Sequence, residues 1–240
     1  METIRNSKVR IGNFTSSGMG KLFATPAKIK TYIKELNFER KLGRSLTKEV
    51  STRDIAWGHL CESFVFSNLL DESYTLTSST SILHPTIKSW AGSPEGKKGE
   101  TVVYDIKAFQ LKKFCEIIET FETNDPEQLK EEFPSEFWQL VSNVILLSTE
   151  EKPIIQAELI VYCPYQSELD ALRKFADELD DFELQKQLYW LAGASDEEMS
   201  YVIDGGNYSN INKFLFEVTE KDKKTLTDKI LEYEKQLITV

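Results

Sequence analysis

Apolar and polar positions separate with a period of two over residues 101–107, Thr-Val-Val-Tyr-Asp-Ile-Lys. Val102, Tyr104 and Ile106 fall on one side, and Val103, Asp105 and Lys107 on the other, which predicts a strand. One of its faces is core; the other carries opposite charges side by side. Elsewhere the period lengthens to that of a helix. Trp57, Leu60, Cys61, Phe64 and Val65 predict a helix over about residues 52–70, with Glu62 at the margin of the stripe beside Val65, Phe66 and Leu69. A carboxylate there is costly without a partner. Residues 134–148 are apolar nearly all round, apart from Gln139, Ser142 and Asn143 at i, i+3 and i+4, which predicts a buried helix with one wet stripe facing a cleft.

The remaining elements follow from turn and cap signals. Residues 10–17 read as an extended entry whose Ser16 or Ser17 caps a helix over 18–24. Pro26 suits the first turn of a helix reaching Leu36, with Ile29, Tyr32, Ile33 and Leu36 on one side. Asn37 to Thr52 read as a polar, basic connection that a ligand orders. Short strands are expected near 74–76, 89–93 and 101–107, punctuated by Pro85, Pro94 and a turn from Gly96 to Gly99. A helix over 110–122, a strand over 155–162, acidic helices over 168–179 and 182–191, a strand over 213–219 and a helix over 221–237 complete the chain. This order predicts an α/β fold, a central mixed β-sheet flanked by helices with C-terminal helical additions.

The length of 240 residues, 40% of them hydrophobic, suits one elaborated domain. No run of about 18 apolar residues and no secretory signal is present, so a soluble, cytoplasmic protein without membrane contact is expected. Three separated cysteines, Cys61, Cys115 and Cys163, argue against a disulfide framework or a CxxC metal site. His59 and His84 alone make a histidine-rich zinc hydrolase or a His-dependent triad improbable, and no GxSxG or GxxxxGK[ST] occurs. The net charge of −10 argues against nucleic acid until its distribution is read: residues 1–50 carry 11 Lys and Arg against 4 Asp and Glu. That basic first fifth on an acidic body is an asymmetry able to localise a phosphate backbone.

Asp-x-Lys alone is commonly a surface ion pair worth about 0–1 kcal/mol. The nearby Gly92-Ser93-Pro94-Glu95-Gly96 segment sharpens the reading, because Glu95 and Asp105 would supply hard oxygen ligands for Mg2+ or Mn2+ and Lys107 would orient or deprotonate water. At the other end, the expected helix cap at Ser16 or Ser17, with Arg10 nearby, can receive a phosphate.

Four separated pieces, RIGNFTSS at 10–17, AWGHLCE at 56–62, GSPEG with DIK at 92–107, and WQ at 138–139, together resemble the phage lambda exonuclease type of viral recombination nuclease, a branch of the PD-(D/E)XK superfamily. The resemblance covers about residues 8–165. It implies a nuclease domain with an end-binding part at 1–50, a catalytic core at 52–165 and C-terminal helices and a last strand at 166–240. Glu95, Asp105 and the Ile106 carbonyl would be metal ligands, Lys107 the water-activating residue, and Glu62 a ligand to a second ion or its waters. Gln139 would order the nucleophile, and Arg10 and Ser17 would hold the 5'-phosphate of a DNA end. The implied activity is Mg2+- or Mn2+-dependent, 5'-to-3' degradation of one strand of linear duplex DNA. The implied partners are double-stranded DNA ends, a single-strand annealing protein and further copies of the chain in a ring of three. Glu95 and Asp105 exchange the family's usual Asp and Glu, lengthening one ligand and shortening the other. A structure-specific or restriction-like endonuclease would use the same residues, and a module with impaired carboxylates would bind DNA without cutting it.

Overall fold

Val102–Ala108 form the central strand of a five-stranded sheet, as their alternation predicts. The computed structural model describes residues 7–46, 52–77 and 80–239. In chain order these form α1 (Ser7–Arg10), β1 (Phe14–Thr15), a 3-10 helix (Ser16–Phe23), α2 (Pro26–Leu42), α3 (Arg53–Asn68), β2 (Tyr74–Leu76), β3 (Ile82–Leu83), β4 (Trp90–Gly92), β5 (Gly96–Lys98) and β6 (Val102–Ala108). The second half continues with α4 (Leu111–Glu122), α5 (Pro126–Glu132), α6 (Pro134–Leu147), β7 (Gln156–Tyr162), α7 (Leu169–Asp177), α8 (Phe182–Gln187), β8 (Ile211–Glu217) and α9 (Glu220–Glu234).

The large sheet runs β2-β5-β6-β7-β8; β6 and β7 are parallel and the other pairs antiparallel. A parallel neighbour requires a crossover, which α4, α5 and α6 supply. A smaller sheet, β1-β4-β3, joins β1 to β4 in parallel and so brings residues 14–15 beside the segment that leads to Glu95. Both faces of β6 and β7 are covered. Val103, Ala157, Leu159 and Val161 pack in one core with Phe137, Leu140 and Val141 of α6, whereas Tyr104, Ile106, Ile160 and Tyr162 pack in another with Leu60 and Phe64 of α3. Each buried Val, Leu, Ile or Phe among them contributes about 1.5–3 kcal/mol of transfer free energy. Phe23 stacks on Trp138 at 3.9 Å, fixing the 3-10 helix against α6.

Several boundaries differ from expectation for physical reasons. α2 runs past Leu36 to Leu42, where Gly43 ends it at φ +64°. Beyond Leu36 the helix buries no apolar side chain, so the pattern stops although the helix does not; Asn37, Glu39 and Arg40 hold it by polar contacts. Residues 47–51 of the expected ligand-ordered connection lie outside the described residues. Ser16 and Ser17 do not cap a helix: Thr15 occupies the N-cap of a 3-10 helix. Gly96–Lys98 form β5 rather than a turn, and the chain reverses after it through Gly99. The second acidic helix ends at Gln187 and is followed by a 3-10 turn over Tyr189–Gly193.

Candidate functional site

β5 begins at Gly96, whose ladder partner is Tyr104, so two residues on, Ile106 has no strand partner on that side. The Glu95 side chain takes its place: Ile106 N donates to Glu95 Oε2 at 2.8 Å. In strand geometry the Ile106 carbonyl leaves on the same side as its amide. Thr77 fixes the preceding turn, its amide donating to the Glu95 carbonyl at 2.9 Å and its hydroxyl donating to the carbonyl of Pro94.

Asp105 and Lys107 share one face of β6. Lys107 Nζ lies 2.7 Å from Asp105 Oδ2 and 3.8 Å from Glu95 Oε1. Asp105 is fully buried. Gln139 of α6 reaches across to donate from Nε2 to Asp105 Oδ1 at 2.9 Å. Asp105 Oδ2 is held by the Lys107 ammonium, a charge-assisted contact within the buried site. From the opposite layer α3 brings Glu62, whose Oε2 lies 3.3 Å from His59 Nδ1.

Arg10 and Ser17 meet at the remaining wall, with Arg10 Nη2 3.4 Å from Ser17 Oγ. Ser16 is buried, and its hydroxyl bonds that of Ser142 at 2.9 Å while Trp90 Nε1 donates to Ser142 Oγ at 2.8 Å. A Cβ on Gly92 would strike Ser16 Oγ and Leu146, so glycine is needed where this floor closes. The Arg10 loop is anchored by α2: Arg40 donates from Nε to Gly12 O at 2.7 Å, from Nη2 to Asn13 Oδ1 at 3.0 Å and from Nη1 to Ile238 O at 2.9 Å. Asn37 completes the clasp, donating to Gln236 O and accepting from Ile238 N.

Arg10, Ser17, Glu62, Glu95, Lys107 and Gln139 therefore line a single cavity of about 150 Å3, with Asp105 directly behind. The expected wet stripe on α6 is narrower than predicted. Gln139 alone of its three members reaches the cavity; Ser142 serves the floor, and Asn143 is fully buried with neither end of its amide hydrogen-bonded. His59 and Ser93 also line the cavity and were not singled out by sequence, although both sit inside recognised motifs.

Three carboxyls face one ammonium in this cluster. Burial pushes the Glu95 carboxyl well above its ordinary range, Asp105 adds to the rise, and Lys107 opposes it. Burial raises Asp105 too, against the pull of Lys107. For Lys107 burial works the other way, but Asp105, Glu95 and Glu62 outweigh it and its pKa is raised. The ammonium is therefore held protonated.

Among the described residues, no three Asp, Glu, His or Cys side chains stand close enough to cage a metal ion by themselves. A hard cation that keeps most of its waters needs no such cage: one or two carboxylates suffice. Two carboxyls placed side by side, both with raised pKa values and sharing the one Lys107 ammonium, fit a further cationic ligand between Glu95 and Asp105.

No protein-family model and no curated protein sequence matches the chain. Solved structures do. The alkaline exonuclease LHK-Exo from Laribacter hongkongensis superposes with a TM-score of 0.59 at 16% identity, covering 96% of this chain and 90% of that one. LHK-Exo in complex with dAMP gives 0.57 over the same shares. A phage-related exonuclease from Haemophilus somnus gives 0.53 at 10% identity, covering 93% and 92%. The chain thus has the fold of these alkaline and phage-related exonucleases.

Proposed function

We propose that this chain is a metal-dependent DNA exonuclease that degrades linear duplex DNA from 5' ends, in phage-type recombination or DNA end processing. One observation carries the reading: a cation-and-hydroxyl pair, Arg10 and Ser17, shares a cavity with the carboxylates and amine of residues 62, 95 and 107. Glu95, Asp105 and the Ile106 carbonyl would hold Mg2+ or Mn2+, with Glu62 serving a second ion or its waters. Bound there, such ions neutralise charge on the scissile phosphate and make hydroxide accessible near neutral pH.

The side chains then have distinct tasks. Gln139 fixes the Asp105 carboxylate through Oδ1, which leaves Oδ2 turned toward Lys107 and the cavity. Lys107, standing between Asp105 and Glu95, would donate to the attacking water or a phosphate oxygen and orient it. Arg10 offers a planar fork to the terminal phosphate, and Ser17 adds a hydroxyl donor. A phosphate gripped there fixes which bond lies over the carboxylates, which is how an end-cutting enzyme differs from one that cuts anywhere.

The test uses linear and circular duplex DNA, with and without Mg2+, and the Lys107→Ala protein as control. Loss of linear DNA alone, dependent on Mg2+ and Lys107, is expected. Arg10→Ala should slow degradation of 5'-phosphorylated ends more than of 5'-hydroxyl ends. Cutting of circles would instead identify an endonuclease, and equal retention of both DNAs without degradation a binding module.

A further inference from the structure

The start of α3 and the chain leaving β6 meet again beyond the cavity just described. Gln110 Nε2 donates to Asp54 Oδ1 at 2.9 Å, and Ser200 Oγ donates to Gln110 Oε1 at 3.0 Å. Beside them the Arg53 guanidinium lies 5.2 Å from the Trp190 ring centroid, and the Trp57 ring stands 6.4 Å from Trp190. Arg53 also pairs with Glu198 at 3.6 Å. These groups border a cavity of about 80 Å3, room for the leading edge of one aromatic ring. None of them has a task in the reaction above.

We propose that this cavity is a stacking site for the base of a DNA nucleotide close to the scissile phosphate. The inference rests on the nuclease reading. Its first support is position. Trp57 and Glu62 lie on the same helix, about 7.5 Å apart along its axis, and Gln110 follows Lys107 by three residues, within about 11 Å. A strand seated over Lys107 and Glu62 passes here within a step or two of its own backbone.

Chemistry supports it independently. Indole faces and a guanidinium plane stack on any base, because every base presents a π-face. Asp54 and Glu198 offer carboxylate oxygens to the amino groups on base edges and disfavour a phosphate in the same place. The chain from Ser200 through Gln110 holds Asp54 in position before a ligand arrives. Arg53 and Asp54 are exposed and Trp190 is half-buried, so the Arg53–Trp190 pair is the part open to a strand arriving from solvent, while Trp57 backs Trp190 from the core.

The experiment measures exonuclease kinetics on 5'-phosphorylated duplexes carrying one abasic nucleotide at the first, second or third position. At one of these positions the wild-type KM should rise by about 5- to 150-fold, the range of base-aromatic stacking, with kcat little changed. Trp190→Ala should raise KM on intact DNA similarly and then be insensitive to the abasic nucleotide. Arg53→Ala and Asp54→Asn, at exposed positions, repeat the comparison if Trp190→Ala fails to fold. Variants with unchanged KM, or with the full abasic penalty retained, overturn the proposal. If no form of the protein hydrolyses DNA, the nuclease reading has failed. Quenching of tryptophan fluorescence by a short single-stranded oligonucleotide then decides the cavity alone: weaker affinity in Arg53→Ala and Asp54→Asn supports it, and unchanged affinity overturns it.

Discussion

The Asp105 carboxylate is shared between two unlike partners, the Gln139 amide at 2.9 Å on one oxygen and the Lys107 ammonium at 2.7 Å on the other. The neutral partner sets the orientation and the charged one sets the local potential. Removing the neutral partner should therefore affect metal binding more than stability. Gln139→Ala is expected to weaken Mg2+ dependence of activity by about 10- to 100-fold, as for other residues that orient a metal ligand. Mg2+ titration of activity beside a thermal melt checks it, and a melt lowered as steeply as activity would contradict it.

Stability of the protein without divalent ions should fall as pH rises. Glu95 and Asp105 have raised pKa values in the fold, so their contribution is complete below the unfolded value of about 4 and is lost as pH climbs through the folded values. Lys107 is raised as well, but its contribution declines only at alkaline pH, above about 10. Melts with chelator at pH 5, 7 and 9 should show a declining Tm, and Mg2+ should restore most of the loss at pH 7 and 9.

Asp105→Asn mimics the protonated form that the buried site favours. It should abolish hydrolysis yet leave the metal-free Tm unchanged or higher, each 1 kcal/mol gained appearing as about 2–4 °C. A lower Tm, measured by calorimetry with chelator present, would show that the Lys107 pair outweighs burial.

Gly20→Ala tests the packing of the 3-10 helix that carries Ser17. A Cβ there would lie 2.6 Å from Ser135 Cα and 2.9 Å from Ser135 N, backbone atoms at the start of α6 that cannot turn aside. Overpacking of this kind costs about 1–3 kcal/mol. Denaturant unfolding should show a lowered midpoint, with Gly43→Ala as comparison: Gly43 has open space around it and suffers only from its left-handed backbone.

Arg40→Ala should act on Arg10 at a distance. It removes three hydrogen bonds from a charged donor, to Gly12, Asn13 and Ile238, each worth about 1.5–3 kcal/mol. Besides a lowered Tm, the preference for phosphorylated over hydroxyl ends should shrink, a change that loss of stability alone would not cause.

The strand that carries Asp105 and Lys107 was legible because its period of two runs over seven residues. Glu62 was legible as a costly carboxylate on an apolar helix. β5 was not, since Gly96-Lys97-Lys98 has no alternation and exists by virtue of its ladder with β6. α5 was hidden for a similar reason, burying only Leu129 in a polar heptad. Arg10 and Ser17 could be joined to the carboxylates only by resemblance, because the parallel pairing of β1 with β4 leaves no local trace. His59 was discounted as too rare to form a triad, a sound exclusion that also hid a cavity-lining side chain.

The clasp that joins Arg40 to Gly12 and Ile238 spans 198 residues of sequence on one side. During synthesis the ribosome must deliver residue 238 before that clasp can close. A chain interrupted before residue 238, however well its sheet has formed, therefore lacks the brace for the loop that follows Arg10.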